Sequence, residues 1–222
     1  GAYARLDAQA YQGLNQGVIQ NSELPWALPR FTYAYQGQPD ALGGRFSMNT
    51  TDFDVYRTKG VSDQRGQLQM QWDRPFHNSL GQQWLVTARL DSNVYRATRL
   101  AQQPTYYAVG GTKITGQVLP TIAVKMSWPF LRSFARGRGT QVLEPIVQLI
   151  AAPNTGNSAN SNMPNEDSLT YEFTYTSLFS LSRYAATDRL DGGLRGNIGV
   201  HQGWTWNGHS IDMLVGESIQ EH

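Results

Sequence analysis

The side chains that could carry covalent or metal chemistry are few and scattered. His77, His201, His209 and His222 form no i,i+4 pair and no cluster with carboxylates, so their spacing offers no metal site. There is no Gly-x-Ser-x-Gly, no phosphate-binding loop and no dinucleotide fingerprint, and nothing calls for a cofactor. Arg136-Gly-Arg-Gly139 lacks the Lys and helix of a phosphate cradle and reads as a flexible turn. Asn165, Glu166 and Asp167 lack EF-hand spacing and read as a solvated loop. Asn49-Thr-Thr51 fits a glycosylation acceptor, a motif too short to argue from at a strand centre. The reading is therefore no catalytic residues and no enzyme. What remains is non-covalent. Fifteen of the 18 Lys and Arg residues are Arg, the cation whose planar fork grips phosphate and carboxylate.

Those cations need elements that aim them, and the pattern is strand. Period-two alternation dominates: Leu68, Met70 and Trp72 against Gln67, Gln69, Gln71 and Asp73; Trp84, Val86, Ala88 and Leu90 against Gln83, Thr87, Arg89 and Asp91. Ile114 to Trp128 alternates for fifteen residues, well beyond the usual globular strand of about 5 to 6. The pattern predicts nine strands: 2–12, 29–36, 44–57, 65–76, 83–97, 114–128, 140–152, 192–206 and 209–217. The connections 13–28, 58–64, 98–113 and 153–191 are mostly long. Those at 37–43, 77–82, 129–139 and Asn207-Gly208 are mostly short, Asn-Gly being a strong hairpin signal. Long loops at one end and short turns at the other is the habit of outer-membrane barrels. Leu169, Tyr171, Phe173 and Tyr175 also alternate, but a strand there would break the up-and-down order, so they stay in the 153–191 connection.

The composition fits that picture. The formal charge of +1 gives no basic excess for nucleic acid, and charged residues are only 16% with aromatics at 11%. There is no Cys, hence no disulfide framework. No apolar run approaches the roughly 20 residues of a membrane helix, so a membrane would be crossed by strands. Five of the six Trp, namely Trp72, Trp84, Trp128, Trp204 and Trp206, lie near short turns, as at a membrane interface. Arg5, Asp7, Arg89, Asp91, Lys125 and Arg195 fall opposite the apolar stripes. Because Arg or Lys at the centre of a lipid face costs about 2 to 4 kcal/mol, these should face a lumen.

Several stretches then carry a resemblance. Thr140 to Leu149, the loop Pro164-Asn-Glu-Asp-Ser168 leading into Phe173 to Ser180, Arg183-Tyr184, and Asp188-Arg-Leu-Asp-Gly-Gly193 resemble the barrel domain of the LptD family, also called the organic solvent tolerance family. Leu28-Pro29, Leu42 to Phe46 and Trp72 to Phe76 are similar to it in the same order. The resemblance implies a barrel of about 26 strands in the outer membrane of a Gram-negative bacterium, assembling lipopolysaccharide into the outer leaflet. The implied partners are lipopolysaccharide, outer-membrane lipids, an LptE-like lipoprotein plug, and a periplasmic bridge reached through an amino-terminal jelly roll. The chain departs by omission: no jelly roll, no gate strand and no cysteines are found. Residues 1–222 are therefore expected to be one partial barrel domain cut from inside a longer chain.

The expected fold is all-β, an antiparallel up-and-down transmembrane barrel present as an open, curved sheet of about nine strands. Its convex face should carry Leu68, Met70, Val86, Ala88, Ile122 and Val124. Arg5, Arg89, Lys125 and Arg195 are candidates for the lipopolysaccharide path, either guiding its phosphates or merely pairing with Asp7 and Asp91 across strands. The connection 153–191, at about 39 residues, is too long for an ordinary loop. Its aromatic back half is expected to fold inward over the barrel mouth, packing Leu178 and Phe179 and pairing Asp188 or Arg189 with lumen charges. Pro120 and Pro145 interrupt otherwise good strands and mark bulges. Other readings are a soluble all-β carbohydrate- or lipid-binding domain, and an outer-membrane hydrolase barrel for which no Ser-His arrangement is found.

Overall fold

The computed structural model describes residues 1–14, 21–22, 24–99, 112–154, 174, 177–184 and 188–221. Among the described residues ten strands are present: β1 (Ala2–Ala10), β2 (Trp26–Pro39), β3 (Arg45–Tyr56), β4 (Ser62–His77), β5 (Gln83–Thr98), β6 (Lys113–Ser127), β7 (Phe130–Phe134), β8 (Gly139–Ala152), β9 (Gly193–Trp206) and β10 (His209–Glu221). They form one antiparallel sheet in the order β1-β2-β3-β4-β5-β6-β8-β9-β10, with β7 beside β8. The sheet is open, and β1 and β10 are its two edges.

The expected turn at 129–139 is corrected: it contains β7. Ser127 faces Ile146 and Phe130 faces Leu143 in one unbroken register, and the Trp128 amide bridges the gap by donating to the Pro145 carbonyl at 3.0 Å. Thus β6 and β7 are one long hairpin arm interrupted where Pro129 offers no amide hydrogen. The turn proper is 135–138, where Ala135, Arg136 and Gly137 all have positive φ. At the other end of this hairpin the ladder stops at Ile122 opposite Ala151. In the same register Pro120 falls opposite Pro153, so neither residue could donate there. Pro145 sits within an unbroken β8–β9 register, facing Val200, so the expected bulge there is not found.

The short connections are built by side chains that replace missing backbone partners. The Asp40 carboxylate accepts the amides of Leu42 at 2.8 Å and Gly44 at 2.9 Å, and Asn78 accepts those of Leu80 and Gln82 in the same way. Asn207 and Gly208 both have positive φ, as the tightest hairpin turn demands.

Register sorts every strand residue onto one of two faces. One row reads Arg5, Thr32, Thr51, Gln67, Asn93, Gln117 across β1 to β6. The adjacent row on the opposite face reads Ala4, Tyr33, Thr50, Leu68, Ser92, Val118. Burial is inverted relative to a water-soluble sandwich. The apolar face is bare, with Val94, Ile122, Leu149, Ile198 and Val215 all exposed. The polar face is covered, with Asp63, Arg65, Asn93, Thr121, Gln148, Arg195 and Asn197 buried.

Candidate functional site

From β4 to β10 the polar face is covered by residues 177–184 and 188–191, a strap lying between β8 and β9 in sequence. Its apolar end rests on glycine. Gly199 of β9 faces Gly216 of β10, and side chains at these positions would meet Phe179 at 3.0 Å and Leu178 at 2.5 Å. Leu178 is thereby buried to 3% exposure, and the Phe179 ring stands 5.9 Å from the Lys125 ammonium. Backbone groups of the strap are answered by the sheet: Gln148 donates to the Phe179 carbonyl at 3.1 Å, and Arg195 donates to the carbonyls of Ser180 at 2.6 Å and Leu181 at 2.9 Å.

Two ionic clusters hold the far end. Asp188 pairs with Arg65 of β4 and accepts the Tyr95 hydroxyl of β5 at 3.1 Å. Arg65 also donates to Asp63 at 2.8 Å, and its guanidinium lies 4.6 Å from the Phe53 ring centre and 5.3 Å from that of Tyr95. Closer to β9, Arg183 forks onto Asp191 at 2.7 and 3.0 Å, while Arg195 pairs with the same carboxylate and Gln220 of β10 joins Arg183. Burial acts to raise the Asp191 pKa, but the Arg183 hydrogen bonds and the Arg195 and Arg183 charges outweigh it and hold the carboxyl below its usual range. With Gln117 donating to the Asp188 carbonyl at 3.4 Å, the strap touches β4, β5, β6, β8, β9 and β10.

The sequence-derived cations lie on the polar face in the observed register, yet in unequal settings. Arg5 is exposed on edge strand β1 and bonds Asp7 at 2.8 Å. Arg89 forks onto Asp91 at 2.7 and 2.8 Å. These pairs run along one strand at i,i+2, not across strands. Lys125 is half-buried beside Phe179, and Arg195 is buried under the strap. Asp188 is buried and Arg189 half-buried. The alternating residues Leu169, Tyr171, Phe173 and Tyr175, the stretch Asn165 to Asp167, and the family-like loop 164–173 lie outside the described residues.

Sequence reasoning missed Arg65, Tyr95, Asp191 and Gln220. The available signal was the Asp63-x-Arg65 spacing, which repeats the Arg–x–Asp spacing of Arg5–Asp7 and Arg89–Asp91 in mirror order. It also missed His201, whose Nδ1 lies 3.3 Å from Glu144 Oε2 of β8 and whose Nε2 lies 3.2 Å from Asp212 Oδ1 of β10. That corrects the expectation of no His–carboxylate cluster, since both partners come from neighbouring strands. Among the described residues no group of three or more His, Asp or Glu is placed to hold a metal ion.

At the short-turn end the apolar face carries an aromatic band. The Trp72 indole donates to Asp40 at 2.8 Å and that of Trp128 to the Leu80 carbonyl at 3.0 Å, while Phe76 stacks on Trp84 with ring centres 6.2 Å apart. The arrangement can bind and orient amphiphiles and polar ligands on its two faces.

Comparison with known proteins agrees with this geometry. The family model for LptD, LPS transport system D, matches residues 1–222. The chain is 28% identical over 189 residues to the LPS-assembly protein LptD of Methylococcus capsulatus (strain Bath), an alignment covering 84% of this chain and 17% of that relative. It thus spans about a sixth of the curated relative's length, and by the match along all its residues the chain belongs to the LptD family.

Proposed function

We propose that the chain forms a sector of the wall of an outer-membrane β-barrel that assembles lipopolysaccharide into the outer leaflet of a Gram-negative bacterium. The observation that carries this reading is the inverted burial: a sheet with a bare apolar face and a covered polar face suits lipid outside and a lumen inside. In this reading the strap is an inward-folded connection that narrows the outer end of the lumen. Arg5, Arg89 and Lys125 line the path of the phosphorylated sugars, whereas Arg195 serves to anchor the strap. An LptE-like lipoprotein plug and a periplasmic bridge complete the machine in the parent protein. No residue is assigned a catalytic role. Depleting the parent protein and measuring surface lipopolysaccharide tests the reading: a fall is expected, and unchanged surface lipopolysaccharide overturns it.

A further inference from the structure

The apolar face carries a polar rim above a hollow. Across β2 to β6 one row places Phe31, Asp52, Gly66, Val94 and Gly116 side by side. The next row toward the long connections holds Asp54, Gln64, Arg96 and Ile114. Because Gly66 has no side chain, a hollow of about 500 Å³ opens there, walled by Phe31, Val94 and Ile114 and bordered by Asp54, Gln64 and Arg96. That volume lies within the range of roughly 300 to 1,000 Å³ typical of small-molecule sites. A Cβ on Gly66 would stand 2.9 Å from the Asp52 carboxylate and 3.4 Å from Val94, so a larger residue would fill the floor.

The rim is polar in an ordered way. Gln64 donates to Asp54 at 2.9 Å and Arg96 donates through Nη1 to Gln64 at 2.9 Å. Among the described residues neither the Arg96 Nε and Nη2 groups nor the Asp52 carboxylate has a hydrogen-bond or ion-pair partner. Arg presents a fork suited to phosphate, a carboxylate accepts hydroxyl or amide N–H donors, and the walls suit alkyl chain. Height fixes where this chemistry sits. Twelve residues separate Trp84, in the aromatic band, from Arg96, about 40 Å of strand and roughly 30 Å along the normal of a barrel with the usual tilt. Arg96 therefore stands at the headgroup level opposite the tryptophans.

We infer that this hollow binds one phosphorylated glycolipid of the outer leaflet from the membrane side, with phosphate on Arg96, sugar or amide donors on Asp52, and an acyl chain against Phe31, Val94 and Ile114. The inference rests on the proposed membrane orientation and concerns a surface separate from the lumen path. A glycerophospholipid supplies phosphate and chains without the sugar donors, and makes the discriminating control.

The full-length parent protein, reconstituted in bilayers containing both lipopolysaccharide and phosphatidylethanolamine, receives a photoreactive phenylalanine analogue at Ile114, or at outward-facing Leu149 as control. Lipopolysaccharide adducts at Ile114 should exceed those at Leu149 at least fivefold and fall to the control level in Arg96→Gln. Gly66→Leu should do the same; if it fails to fold, Arg96→Gln still decides. Equal labelling at the two positions, retention in Arg96→Gln, or adducts chiefly with phosphatidylethanolamine overturn the inference. Surface lipopolysaccharide after depletion of the parent reads the proposed function separately, so failure of one is not failure of the other.

Discussion

Arg65 is a buried cation held between two carboxylates, Asp63 on its own strand and Asp188 on the strap, with aromatic rings beside it. Removing one partner of a buried ion pair commonly costs about 3 to 5 kcal/mol, because the remaining charge stays desolvated. Here Asp63 still answers Arg65 when Asp188 is lost, so Asp188→Ala should cost less, on the order of 2 kcal/mol. Its clearest effect should be release of the strap, read as faster proteolysis within 177–191 of the parent protein. An unchanged cleavage rate would show that the ion pair does not hold the strap. Asp191 lends a pH dependence. Its folded pKa lies below the ordinary carboxylate value of 3.8, so its contribution is complete above that value and fades as pH falls through the lowered one. Strap cleavage by an acid-active protease should therefore stay flat from neutral pH to about 5 and rise only below about 4. A rise already between pH 7 and 5 would point to a different titrating group.

At the scale of elements, the glycine seam decides where the strap can lie. A side chain at Gly216 would collide with the Ile198 carbonyl at 2.4 Å as well as with Leu178, so accommodation requires the backbone itself to shift. Gly216→Leu should displace Leu178 and raise strap cleavage. Val215→Leu, one residue away on the bare apolar face, should leave cleavage unchanged, and equal effects would remove the seam's special role. The same contrast explains what could be read in advance. Strands with unmixed faces, such as 83–97 and 114–128, announced themselves by alternation because each residue sees one environment all along its face. The strap's anchors did not. Arg65 meets Asp188 across 123 positions of sequence, and periodicity says nothing about such a pairing. β7 escaped notice because Trp128-Pro129 reads locally as the start of a turn, while the continuing register becomes evident only with β8 beside it.

The whole molecule presents a sheet whose bare face would be an error in water, and that supplies its most decisive test. Ile122 is 61% exposed near mid-height of the apolar face, and Leu143 is 39% exposed on the same face of β8, opposite Phe130 at the level of the aromatic band. If water bathed both, changing either to Arg would alter stability by about 0.5 kcal/mol or less, as at ordinary surface positions. If a bilayer surrounds the sheet, the cost depends on depth: about 2 to 4 kcal/mol at the midplane, falling to roughly 0 to 1 near the interface. Ile122→Arg should then destabilise the parent barrel in lipid by several times more than Leu143→Arg, measured as the shift in denaturant midpoint for reversible unfolding from lipid vesicles. A polar-face comparison completes the argument. Thr87, opposite in facing and hydrogen-bonded to Asp73 at 2.6 Å, should when changed to Val lose only that bond, about 1 kcal/mol. Equal small effects for both Arg variants would mean that the apolar face does not contact lipid, and the proposed outer-membrane function would fall with it.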